Sequence, residues 1–281
     1  MAEEWYEKVG RIPRKVMYAL TLIILIVPLF VSFALPVHIS SETRIMYETI
    51  EKLRGTGKRV LFIACTIAAH WGEFYHMYFA IFQHIFLLEN VKLIIVPVAS
   101  PDAPALTWMA LDAISNPLNK QYGVDYAVLT FLPDPTAAFA SMAENFRATF
   151  TADLSGTPID KLPVMEGVYT LSDFDVIITA DVAAAAPQVA RIFYPRFPDK
   201  TYFGLVLAGA VMMYLPFHGT VFKSALVGPR SAAEYQILYG GPYSGAVRQM
   251  DIYSAYHLFI LIAIILGNIP FIARKISRRR K

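Results

Sequence analysis

The chain has 281 residues, a formal net charge of +3, 56% hydrophobic and 17% charged residues, and a single cysteine, Cys65. Apolar content above roughly half and charge below roughly a quarter point to membrane-spanning segments beside one ample buried core. The lone cysteine excludes an intrachain disulfide and a cysteine-rich metal site, and a small positive excess placed in the tails gives no reason to expect a nucleic-acid partner.

Residues 1–15 read as a cytoplasmic lead containing Lys8, Arg11, Arg14 and Lys15. The stretch 16–35 holds no charge and has the roughly twenty residues that cross a bilayer's hydrocarbon as a helix. Ser32 and Ala34 offer a small-x-small cleavage site, but the apolar run exceeds the about 7–15 residues of a signal peptide. An uncleaved anchor is therefore expected, bent at Pro28, which removes a helical hydrogen bond. Ser40 or Ser41 is suited to cap a helix over 42–54, ended by Gly55 and Gly57.

From Val60 short apolar runs alternate with helical patterns. Strands are expected at 60–66, 91–98, 126–132, 175–179 and 202–207, and helices at 70–88, 105–115, 136–150, 187–193 and 229–239. Such alternation builds βαβ units, and continuous apolar strands belong to a sheet covered on both faces. The expected fold class is α/β, a Rossmann-like or flavodoxin-like, mostly parallel sheet sandwiched by helices and flanked by N- and C-terminal transmembrane helices. The stretches 74–88 and 202–217 are apolar enough to be weighed as further spans, but spanning there would dismember the sheet.

The second span is 255–273, followed by the basic tail 274–281. Lysine and arginine concentrate before the first span and after the second, so both termini are expected in the cytoplasm and the α/β domain, 36–254, outside it. The localisation is thus a two-pass cell-membrane protein. Besides fixing topology, the basic tail would attract anionic lipid headgroups.

Ligands of open α/β sheets bind beyond the carboxyl ends of the strands. Those ends supply the candidate ligand-binding residues Thr66, His70, Ser100, Asp102, Asp134, Asp181 and Gly209. The three acids on one rim suit a cation or a polyol, but the preferred expectation is that Asp102 and Asp134, short acidic residues near proline, cap helices, with Asp181 explained the same way. No catalytic set, metal site or cofactor is expected. His70, Glu73 and His76, at i, i+3 and i+6, diverge by about 120° on a helix and lack zincin spacing. Gly55-Thr56-Gly57-Lys58 leaves a helix and enters a strand, the reverse of a phosphate loop, and no GxGxxG follows the first strand. Cys65 reads as a small hydrophobe in a strand rather than a nucleophile. Ser224 and Ser231 have no nucleophile-elbow context.

Trp71, Phe74, Tyr75, Tyr78, Phe79, Phe82 and Phe86 surround one helix instead of forming a stripe, and a helix apolar all round must be buried all round. These residues are the candidate interface, the partners being the lipid bilayer and either a second copy of the chain or other membrane-complex subunits. The segments 121–131, 158–179 and 231–241 resemble those of a prokaryotic group of membrane-anchored proteins with a Rossmann-like middle domain and no assigned activity. The resemblance implies the fold and adds no chemistry. The leading expectation is a non-enzymatic scaffolding subunit of an oligomeric membrane assembly. The alternatives are an anchored small-ligand or ion-binding module at the rim, or a hydrolase or transferase.

Overall fold

The computed structural model describes residues 12–30, 37–180, 182–240 and 245–279. It divides into two compact units, Val37–Ala246 and the pair of end segments Met1–Pro36 and Val247–Lys281. Asp181 and residues 31–35 at the end of the expected first span lie outside the described residues.

The larger unit is an α/β domain. Its strands are β1 (Arg59–Ala64), β2 (Lys92–Pro97), β3 (Tyr126–Val128), β4 (Val176–Ala180), β5 (Thr201–Val206) and β6 (Ser224–Val227). They form one six-stranded sheet in the order β3-β2-β1-β4-β5-β6, and every pairing is parallel. The strands are uniformly buried after their first residue in β1, β2 and β5, as required when helices cover both faces. Alternate residues of β1 supply two cores. Leu61 and Ile63 join Phe139, Phe146, Phe174 and Phe193. Phe62 meets Tyr78 and Phe82 edge-on at ring separations of 4.7 and 4.8 Å.

The helices of the domain, numbered with the N-terminal α1 (Arg14–Phe30), are α2 (Ser41–Glu51), α3 (Trp71–Leu87), α4 (Ala103–Ser115), α5 (Pro135–Glu144), α6 (Phe146–Thr149), α7 (Val182–Gln188), α8 (Val211–Tyr214) and α9 (Gly228–Tyr239). The helix expected over 136–150 is split because Asn145 turns extended and uses its side-chain oxygen to cap α6 at Ala148 N–H, a local bond that competes with continued helix. Past α7, which contains Pro187, the backbone widens into a π-turn over Val189–Phe193.

Helix α3 resolves the aromatic ring of side chains physically. It packs between α4 and α9 as well as against the sheet. Phe74, Tyr78, Phe79, Phe82 and Phe86 are all buried, while Trp71 and Tyr75 at its first turns are half-buried. The stretch 74–88 is thus a core helix, and 202–217 is a buried strand followed by short helical turns.

Two buried polar clusters join the helices on this face. Glu234 of α9 is only 2% exposed. It accepts bonds from Ser40 N–H (3.0 Å), Ser40 Oγ (2.6 Å), Thr43 Oγ1 (2.8 Å) and Arg230 Nε (2.9 Å), clamping the start of α2 to α9. His84 of α3 sits between the rings of Tyr47 and Tyr239. Its Nε2 lies 2.8 Å from Glu51 Oε2 and its Nδ1 2.7 Å from the Tyr235 hydroxyl.

In the second unit, α1 runs Arg14–Phe30 and α10 runs Ala246–Arg279. Among the described residues, one helical stretch, Ala246–Ala273, is long and apolar enough to cross a membrane. An apolar groove of about 340 Å³ lies between the two helices, lined by Ile23, Val27 and Pro28 on one side and by Ala255, Leu258 and Ile262 on the other.

Candidate functional site

The strand order fixes where a ligand crevice would open. From β1 the chain winds outward through β2 and β3, then returns to the other side of β1 with β4 and winds outward through β5 and β6. The loops after β1 and β4 therefore diverge, and the carboxyl ends of those two strands mark the switch point at which open α/β folds hold ligands.

The predicted residues fall along this rim as follows. Thr66 is buried just past β1, with its hydroxyl 2.7 Å from that of Tyr78, tying the strand end to α3. His70 closes the 3-10 turn Ala68–His70 that leads into α3. Beyond β2, Ala99 has φ +69, and Ser100 N–H donates to the Val98 carbonyl at 2.8 Å, closing a γ-turn around it. Positive φ is costly for a residue with a Cβ, so this turn is a strained point on the rim. Ser100 Oγ accepts from Asp102 N–H at 3.2 Å. Asp134 caps α5 through Ala137 N–H at 2.9 Å. Gly209, after β5, is exposed with open space around it.

Asp102 does not cap α4, although it occupies the capping position. Its Oδ2 instead accepts from Ala68 N–H at 3.0 Å, bridging the loop after β2 to the loop after β1. Glu73, on the first turn of α3, does the same across the switch point: its Oε2 accepts from Ala208 N–H, after β5, at 3.0 Å. Of these two backbone donors, Ala68 N–H lies in the loop after β1, the turn that cradles a phosphate in dinucleotide-binding folds. Here the protein's own carboxylates occupy them. A phosphate ligand would have to displace an anion and then endure the repulsion of its charge.

Along the sequence Glu73 stands out only beside His70 and His76. Its partner lies 135 positions away, a separation with no periodic signature. His76 is half-buried, and burial lowers its pKa. Its ring lies against Gly245, where an added Cβ would come within 3.1 Å of Cε1. Among the described residues no group of three His, Cys, Asp or Glu side chains is placed to hold a metal ion. Cys65 is buried at the end of β1 within the core shared by Ile63 and Val96.

Gly228, at the start of α9, completes the rim. It has φ +62, and a Cβ there would lie 3.1 Å from the Ala208 side chain and 3.5 Å from Glu73 Oε2. Gly228→Ala is expected to cost about 1–3 kcal/mol through backbone strain and displacement of the Glu73 bridge. Urea unfolding of the variant beside the native chain checks this, and an unchanged midpoint would refute it.

Comparison with known proteins finds no match: no family model, no curated protein and no solved structure matches the chain.

Proposed function

We propose that the chain is a non-enzymatic structural subunit of an oligomeric membrane assembly, anchored twice with both termini in the cytoplasm and the α/β domain outside it. The observation that carries this reading is the state of the rim. Asp102 and Glu73, the carboxylates that a binding or catalytic role would use, are engaged in bridging one strand-end loop to another, which favours a rigid scaffold over an open site. The anchoring rests on the apolar Ala246–Ala273 stretch, on the uncharged sequence 16–35 and on the lysines and arginines outside both stretches. Of the aromatic residues of α3, Trp71 and Tyr75 retain surface for a partner.

The test is the mass of the protein extracted in mild detergent and measured by light scattering. A multiple of the 31.5 kDa chain is expected, and a monomer at high concentration would overturn the scaffolding reading. A second reading, a small-ligand or ion site at the same rim, is favoured by the strained turn at Ala99, because such strain gathers at binding sites. A calcium- or polyol-dependent rise in melting temperature, lost in Asp102→Asn, would favour it instead.

A further inference from the structure

The stretch Ala208–Phe217, AGAVMMYLPF, carries no charge. It follows β5 as a 3-10 turn, helix α8 and a second 3-10 turn. Tyr214 turns its large side chain inward, its ring against Phe222, and the partly buried Phe217 packs against the core. Three others face out: Met212 is 72% exposed, Met213 54% and Leu215 49%. Within the α/β domain, Met212 is the most exposed large hydrophobic side chain among the described residues.

Apolar surface gathered in one segment needs a cover, and the way the chain reaches the domain indicates which. Ala208 is held by Glu73 of α3 and lies against Gly228 of α9. The chain comes into the domain at His38–Ser40, where the His38 carbonyl accepts from Arg230 and Ser40 donates to Glu234, both in the first two turns of the same α9. It leaves at Gly245, packed on His76, one turn along α3 from Glu73. Both connections to the apolar helices therefore depart from the helices that grip Ala208. The slack is small. In the sequence, four residues, 36–39, separate the uncharged stretch 16–35 from Ser40, and ten, 246–255, separate Gly245 from the apolar stretch 256–273.

We propose that Ala208–Phe217 rests in the bilayer surface, with Met212, Met213 and Leu215 inserted among the acyl chains as an interfacial element. The segment has the composition for that role: methionine and leucine to enter hydrocarbon, with the half-buried Trp71 and Tyr75 of α3 suited to the headgroup zone. A lipid surface, unlike a protein partner, demands no complementary shape, and the exposed methionines offer none. The proposal rests on the anchoring reading above.

Its test uses the full chain in a Cys65→Ala background, reconstituted into vesicles of phosphatidylcholine and phosphatidylglycerol. Single cysteines at Met212→Cys, Leu261→Cys and Tyr169→Cys carry an environment-sensitive fluorophore. Leu261 reports the apolar stretch of α10. Tyr169 is exposed and sits in the loop that approaches Arg59, the first residue of β1, at the end of the strands opposite the rim. Lipid-borne nitroxide is expected to quench Met212→Cys and Leu261→Cys, while aqueous iodide quenches Tyr169→Cys. If Leu261→Cys is quenched from the lipid and Met212→Cys only by iodide, the proposal falls and the anchoring stands. If neither responds to the lipid quencher, the anchoring reading falls and takes the proposal with it. Disulfide-linked dimers of the unlabelled Met212→Cys chain would also overturn it, in favour of a second copy as the cover.

Discussion

Glu234→Ala is expected to destabilise the α/β domain by about 3–4 kcal/mol, because each buried donor left unpaired costs about 1–3 kcal/mol. Ser40 N–H, Ser40 Oγ and Thr43 Oγ1 all converge on one carboxylate oxygen, and alanine leaves all three without that acceptor. Glu234→Gln keeps an oxygen for Ser40 and Thr43 but turns an amide donor toward Arg230, so a milder loss is expected. Burial works to raise the Glu234 pKa, and the bonds from Ser40, Thr43 and Arg230 outweigh it and hold the carboxyl below 4.5. A depressed folded-state pKa stabilises the fold above the unfolded value and ceases to do so as pH falls through the folded one. Unfolding midpoints should therefore drop with acidification below about pH 4.5 in the native chain, and this component should vanish in Glu234→Ala. An equal acid dependence in both would remove Glu234 from the account.

His84→Ala is the second large effect, expected at about 3 kcal/mol. It opens a cavity between Tyr47 and Tyr239 and strands two polar partners. The ionised Glu51 can only accept, so His84 Nε2 carries the proton and Nδ1 accepts from the Tyr235 hydroxyl. Burial is the largest influence on His84 and lowers its pKa below 6.5, the Glu51 bond and charge opposing it. The ring is therefore neutral in the folded protein. The unfolded chain takes up this proton first, so stability falls as pH drops from about 6.5 toward the lowered folded value, and levels off below it. His84→Gln should flatten this limb of the pH profile. Nuclear magnetic resonance titration of the His84 ring gives the direct check: an inflection above 6.5 would contradict the neutral assignment.

Much of the sheet was legible because β1, β2, β4 and β5 are uninterrupted apolar runs, the pattern that a twice-covered parallel strand demands. The strand β6 escaped notice. It has four residues, Ser224–Val227, begins with a serine that donates to the Glu42 carbonyl, and is too short for periodicity to register. The strand expected over 126–132 ends at Val128. After it, Thr130 turns its hydroxyl to the Ala152 carbonyl, and the chain makes only isolated bridges. At the rim, Thr66 follows β1, Ser100 and Asp102 follow β2, and Asp134 follows β3 along the chain. What the side chains bond to was readable only for Asp134, whose target lies three residues on. The bridges from Asp102 and Glu73 join loops that only the strand order brings together.

The positions at which the chain joins the domain also set how it bears mechanical load. Tension arriving through the two connections would be applied at Ser40 and Gly245, not at opposite ends of a strand. The ladder of parallel strands is then not in series with the force. The first bonds in its path are that of Arg230 to the His38 carbonyl and those of the Glu234 carboxylate to Ser40 and Thr43, and after them the packing of α2 on β6 and α9. Under a pull, the domain would peel from its first helix while the sheet stayed whole, so its resistance would follow the protonation of one buried acid rather than the strength of the sheet.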